Sequence, residues 1–173
     1  MLTTAHLSKT QFVIFLNYSS GGGKDTLKFD NYKIPINGSS QLICYTGHNG
    51  LMDFKVEQVD SPSDKQKREV IILACYSKSY FKELIRKSGA MPLIWSTHLM
   101  SPEAYTTHAA ISGWLANESP EQIKERAAKA YNKYLKCGIK GARNLLVTGW
   151  SFSFDCKPEK RYPILCTKPH HIF

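Results

Sequence analysis

Apolar runs stand out along an otherwise polar chain: QFVIFLN at 11–17, QLICYT at 41–46, EVIILAC at 69–75 and PLIWST at 92–97. The middle two are continuous rather than alternating, the pattern of strands covered on both faces of a parallel sheet. Helical spacing follows the third run, where SKSYFKELIRKSG puts Tyr80, Phe81, Leu84 and Ile85 on one face and ends on Gly89 as a C-cap. SPEAYTTHAAISGWLANE offers Ser101 as N-cap, Pro102 at the first helical position and Glu103 in the first turn. Ala104, His108, Ile111 and Leu115 then form its apolar face, which makes His108 a core histidine. SPEQIKERAAKAYNKYLKCG starts with a capping box of Ser119 and Gln122, buries a stripe of Ile123, Ala127, Tyr131 and Leu135, and stops at Gly138. Strands and helices in this order predict an α/β fold, a mostly parallel central sheet flanked by helices and joined by right-handed crossovers. Residues 18–40 and 54–66 are polar and rich in Gly, Ser, Pro and Lys, and read as loops.

Length changes this picture little, since 173 residues suit a single α/β domain. Its core runs over about 11–149, and 150–173 form a tail or an edge hairpin. No apolar stretch approaches the roughly 18–20 residues of a membrane span, and FVIFL at 12–16 is too short for a signal-peptide core. The expectation is a cytoplasmic protein without a membrane partner.

Charge adds one constraint. The net +9 is spread over KQKR at 65–68, KSYFKELIRK at 78–87, the 124–143 segment and the tail. No zinc-finger spacing or aromatic RNA-binding motif accompanies it, so it reads as a solvated basic surface rather than a nucleic-acid interface. Such a surface steers acidic substrates or an acidic protein partner. The cysteines number 5, an odd count without any C-x-x-C pair, which argues against a disulfide framework and against a zinc site. His98 and His108 lack a third ligand, so no metal is expected. NYSSGGGKDT at 17–26 approaches a phosphate-binding loop but matches no such pattern, and no helix follows it, so it reads as a turn.

Chemistry concentrates at two strand ends. LICYTGHNG closes its apolar run on His48 between Gly47 and the Asn49–Gly50 pair, and VIILACYS closes its run on Cys75. In an open α/β sheet, functional residues gather beyond the carboxyl ends of the strands. A histidine there can serve as base, or as imidazolium partner to a thiolate, which is the real nucleophile of a cysteine. The Gly47–Gly50 turn brings backbone close to a substrate, and an N–H there can face an oxyanion. On spacing alone, a buried structural cysteine ending a core strand is the simpler reading.

The wording of these stretches resembles the caspase-like (clan CD) cysteine peptidases, the group of caspases, legumains, gingipains, separases and bacterial CHAT-domain proteins. VIILACYS…LIRKSGAMPLIWSTHLMSPEAYTTHAAISGWL is similar to the CHAT segment in particular, and the resemblance covers roughly residues 41–116. It implies a caspase-like three-layer sandwich, here a minimal version or a piece of a longer one. It also implies a His48–Cys75 dyad that hydrolyses peptide bonds in a peptide or protein substrate through a thioester, with no cofactor. The family has Gly directly after the histidine. Here Asn49 intervenes, so the oxyanion N–H falls to Asn49 or Gly50. By the same resemblance Trp95, Ser96 and Thr97 are substrate contacts. His98 lines the cleft because its strand also ends on the carboxyl side of the sheet, and Asp53, five positions past His48, is near enough to orient it, although an Asp there is more often a loop residue. The alternative is a non-catalytic interaction domain of this fold that binds an acidic partner protein.

Overall fold

The structure is a computed structural model that describes residues 2–4, 14–16, 24–29, 31–37, 40–56 and 67–150. The N-terminal part holds two antiparallel pairs, β1 (Leu2–Thr4) with β2 (Ile14–Leu16), and β3 (Lys24–Phe29) with β4 (Tyr32–Asn37). The β3–β4 hairpin corrects the expectation of a loop over 18–40. Phe29 pairs with Tyr32, and the sequence between them, Asp-Asn, is of a type suited to a two-residue turn. Pro35 sits opposite Thr26. In a two-stranded ribbon every strand has an open edge, so its missing N–H costs nothing there. The glycine run at 17–23 and most of 54–66 fall outside the described residues, as does the tail beyond 150.

The main sheet has the order β5–β6–β7–β8, built from β5 (Leu42–Thr46), β6 (Glu69–Leu73), β7 (Met91–Ser96) and β8 (Leu146–Val147). β5, β6 and β7 run parallel and β8 joins antiparallel, so the sheet is mostly parallel. The continuous run of β6 is covered on both faces, but β5 stands at the end of the strand order with Ile43 and Tyr45 exposed, which corrects the expectation that both middle runs are covered. Among the described residues four α-helices accompany the sheet: α1 (Ser77–Ser88), α2 (Ala104–Leu115), α3 (Pro120–Leu135) and α4 (Ile139–Leu145).

Side-chain alternation along β6 builds two cores. Val70, Ile72 and Ala74 join Ala90 and Trp95 on one face, where Phe81 and Ile85 of α1 cover them. Ile71 and Leu73 face the other way, against Ile111 of α2 and Ile123, Ala127, Ala128 and Tyr131 of α3. The result is a small three-layer α/β fold. β7 departs from strict alternation: Val70 pairs with Pro92 but Ile71 with Ile94, leaving Leu93 as a bulge. Leu93 and Ile94 therefore both reach the α2–α3 side. Each such fully buried side chain contributes about 1.5–3 kcal/mol, enough to hold the carboxyl ends of β6 and β7 in fixed relation.

The helix signals hold with adjustments. Gly89 is the C-cap of α1 at φ 68°. Ser119 caps α3 and forms the full capping box with Gln122. Ser119→Ala is expected to cost about 1 kcal/mol, read as a lower urea midpoint with unchanged m-value. α3 ends earlier than expected, at Leu135, because Lys136 takes the left-handed cap at φ 55°. Gly138, at φ 85°, opens α4 instead of closing α3.

α2 starts at Ala104, with Glu103 in the N-cap place assigned to Ser101. The Ser101 N–H is committed to the Tyr131 hydroxyl at 3.1 Å, which ties the stretch before α2 to α3. The buried face of α2 is Thr106, Thr107, Ala110, Ile111 and Gly113, and His108 is exposed rather than in the core. Small residues dominate this helix, so periodicity could not select its face. Packing selected it: a Cβ on Gly113 would lie 2.6 Å from Glu118 Oε2 and 3.2 Å from Ile123 Cγ1.

Candidate active site

β5 and β6 are hydrogen-bonded neighbours in register from Leu42–Glu69 to Thr46–Leu73, so the residues after them emerge side by side. The Gly47 N–H extends this pairing by one bond, to Leu73 O at 3.2 Å. The chain then turns into a short 3₁₀ segment, Gly50–Met52, whose N-cap is Asn49.

Asn49 is the residue that joins the two strand ends. Its side chain is fully buried. Nδ2 donates to Cys75 O at 2.6 Å, and Oδ1 accepts the Leu51 N–H at 3.1 Å. The amide orientation follows from its partners, since a carbonyl only accepts and an N–H only donates. Asn49 thus caps its own turn and clasps the turn that carries Cys75. The signal was present in the sequence as the residue inserted between His48 and Gly50, but its role is to fix the geometry through its side chain.

His48 sits on the outer side of this loop, with its side chain 69% exposed. Its carbonyl accepts the Tyr45 hydroxyl, and its Nε2 meets Asp53 Oδ2 at 2.5 Å. A carboxylate only accepts, so Nε2 carries the hydrogen and Nδ1 is the nitrogen left to exchange a proton. Asp53 thus holds the His48 ring by one of its two nitrogens. Gly50 admits the Phe54 ring, which a Cβ at that position would approach to 2.8 Å.

Cys75 lies on a tight strand-to-helix turn, and the next residue, Tyr76, adopts φ 51°, an uncommon left-handed conformation for a bulky residue. The Cys75 side chain is half-buried. Its Sγ lies 3.4 Å from Met100 O and 3.5 Å from Met100 N. The thiol thus donates to the Met100 carbonyl and accepts from the Met100 N–H, so both sides of the sulfur are held by one backbone residue. Among the described residues no hydrogen bond joins His48 to Cys75: Asp53 holds the imidazole and Met100 holds the thiol.

A buried serine pair fixes the turn from beneath. Ser77 Oγ donates to Ile72 O at 2.8 Å and accepts the Ser96 N–H at 2.8 Å. Ser96 Oγ donates to Ala74 O and lies 3.1 Å from the Ser77 N–H that it caps. Ser96 thus belongs to the frame under Cys75 and is closed to substrate. Trp95 is equally sealed, fully buried and edge-on to Trp150 at 5.3 Å. Of the β7 run, Thr97 is half-buried and His98 exposed. Leu99 follows at 64% exposure, so the rim beside Cys75 is apolar at that point. Sequence reasoning missed Tyr45, Tyr76, Ser77 and Met100, whose parts in the site come from backbone bonds that leave no pattern in the residue types. Beneath the rim, burial pushes the Tyr131 hydroxyl above its ordinary pKa, so it stays protonated as the acceptor of the Ser101 N–H.

Among the described residues no three His, Cys, Asp or Glu side chains are grouped to hold a metal ion. No helix there is long and apolar enough to cross a membrane. No family model, curated protein or solved structure matches the chain.

Proposed function

We propose that the protein is a cytoplasmic cysteine hydrolase of caspase-like type that cleaves peptide bonds, with Cys75 as nucleophile and His48 as its base. One observation carries this reading: the Asn49 clasp holds the histidine loop of β5 onto the cysteine turn of β6 at the carboxyl ends of adjacent parallel strands. Nδ1 of His48 takes the thiol proton, and Asp53 stabilises the imidazolium through Nε2–H. The thiolate adds to the substrate carbonyl, the amine leaves, and water hydrolyses the thioester. The His48–Cys75 contact closes in the substrate complex, since catalytic hydrogen bonds are often long in free enzymes.

The test is the rate of iodoacetamide labelling at each cysteine against pH, in wild type and His48→Ala. Cys75 is expected to label at pH 6.5 at least about tenfold faster than the exposed Cys137, and to lose that advantage without His48. Slow labelling indifferent to His48 would leave the second reading, a non-catalytic domain for an acidic protein partner. That reading rests on the present arrangement, in which Asp53 and Met100 engage the two groups separately.

A further inference from the structure

We propose that His98 is a second catalytic histidine, the general acid that protonates the amine leaving from Cys75; this rests on the hydrolase reading above. The sheet order sets the stage. β6 lies between β5 and β7, so Cys75 emerges with the His48 loop on one side and the β7 end on the other. His98 is bound to the cysteine turn itself: its carbonyl accepts the Tyr76 N–H at 2.9 Å, and the Tyr76 and His98 ring centroids are 6.0 Å apart. Two residues on, Met100 holds the Cys75 sulfur.

Hydrogen-bond accounting identifies the working nitrogen. Thr97 Oγ1 has one hydrogen, and its neighbours at 3.1 and 3.2 Å are the carbonyl oxygens of Asn144 and Leu145, which only accept. The threonine therefore donates to the backbone, and its 2.8 Å bond to His98 Nδ1 has the imidazole as donor. Nδ1–H is committed and the ring is fixed. Proton exchange falls to Nε2, which takes no hydrogen bond among the described residues. His48 presents the opposite nitrogen, because Asp53 occupies its Nε2. Two differently oriented imidazoles on opposite flanks of one thiol suit opposite proton transfers.

The steps balance. In acylation His48 takes the Cys75 proton, sulfur bonds to the carbonyl carbon, the C–N bond breaks, and His98, entering as the imidazolium with a hydrogen on each nitrogen, gives its Nε2 proton to the departing nitrogen and is left neutral with Nδ1–H. In deacylation neutral His98 takes a proton from water, and the hydroxide oxygen bonds to the thioester carbon. The C–S bond breaks, and His48 returns its proton to sulfur. Both histidines finish as they began, and the net reaction is amide hydrolysis.

Leaving-group dependence tests this. The probes are a positional-scanning pool of tetrapeptide aminomethylcoumarin amides, whose amine must be protonated to leave, and p-nitrophenyl acetate, whose phenolate needs no proton. His98→Gln is expected to slow the amide pool about a hundredfold while changing the Cys75-dependent ester burst less than about threefold. Thr97→Val, which removes the acceptor of Nδ1–H, is expected to show the same discrimination to a smaller extent. Equal slowing of amide and ester, or no slowing of the amide, would overturn the role of His98 and leave the hydrolase reading standing. Wild type that shows no Cys75-dependent release from either probe would overturn both.

Discussion

Asn49→Asp is expected to destabilise the fold by about 3 kcal/mol at neutral pH, with much of the loss recovered on acidification. The substitution keeps the shape of the side chain and replaces the Nδ2 donor, 2.6 Å from Cys75 O, with an oxygen that only accepts. Asn49 is fully buried, so the new carboxylate cannot turn to water and faces a carbonyl dipole of the wrong sign. Burial and that dipole both raise the folded-state pKa of the new acid above the unfolded value of about 3.9. Between the two values the folded state binds more protons than the unfolded state, so stability falls as pH rises through the window and returns as pH falls. At the acid end the protonated carboxyl donates to Cys75 O and restores the clasp. Urea midpoints from pH 4 to 8 check this against wild type and against Asn49→Ala, which should be weakened without the added pH slope. An Asn49→Asp curve parallel to wild type would show that the side chain is not held against Cys75.

The clasp also shows what the sequence could and could not reveal. The apolar runs of β5, β6 and β7, the capping box at Ser119 and the Gly89 cap were legible, because burial and backbone chemistry restrict which residues serve there. The placement of His48 and Cys75 beyond the ends of two neighbouring strands was legible from the apolar runs that end on them, although of these two only the β6 run is covered on both faces and β5 is exposed. The face of α2 was not, since its small residues carry no strong stripe and Gly113 against Ile123 decides the contact. Nor were the β3–β4 hairpin and β8, whose short or polar strands are defined by their pairing partners. The finer design of the site escaped because it is written in backbone atoms. Cys75 O, Met100 N and His98 O do the positioning, and a one-letter code is silent about them. Ser96 illustrates the reverse case. The resemblance to caspase-like peptidases implied a substrate contact there, yet its hydroxyl is buried beneath the cysteine turn.

Cys75→Ala is expected to abolish hydrolysis of the peptide amide pool, a loss of at least about a thousandfold, and His48→Ala is expected to come close to it. The two need not add, because nucleophile and base act as one unit and removing either leaves only binding and oxyanion contacts. Both variants should remain folded. Cys75 is half-buried with only backbone partners at sulfur, and His48 is exposed apart from its link to Asp53. Far-UV circular dichroism and urea midpoints within about 1 kcal/mol of wild type would separate lost chemistry from lost structure. Asp53→Ala completes the series. Without its carboxylate the His48 ring loses the acceptor that fixes Nε2–H and the charge that stabilises the imidazolium, so a fall of about ten- to a hundredfold in kcat with little change in KM is expected. A shift confined to KM would make Asp53 a substrate contact, and full activity in Cys75→Ala would remove the nucleophile from the mechanism and return the protein to the class of binding domains.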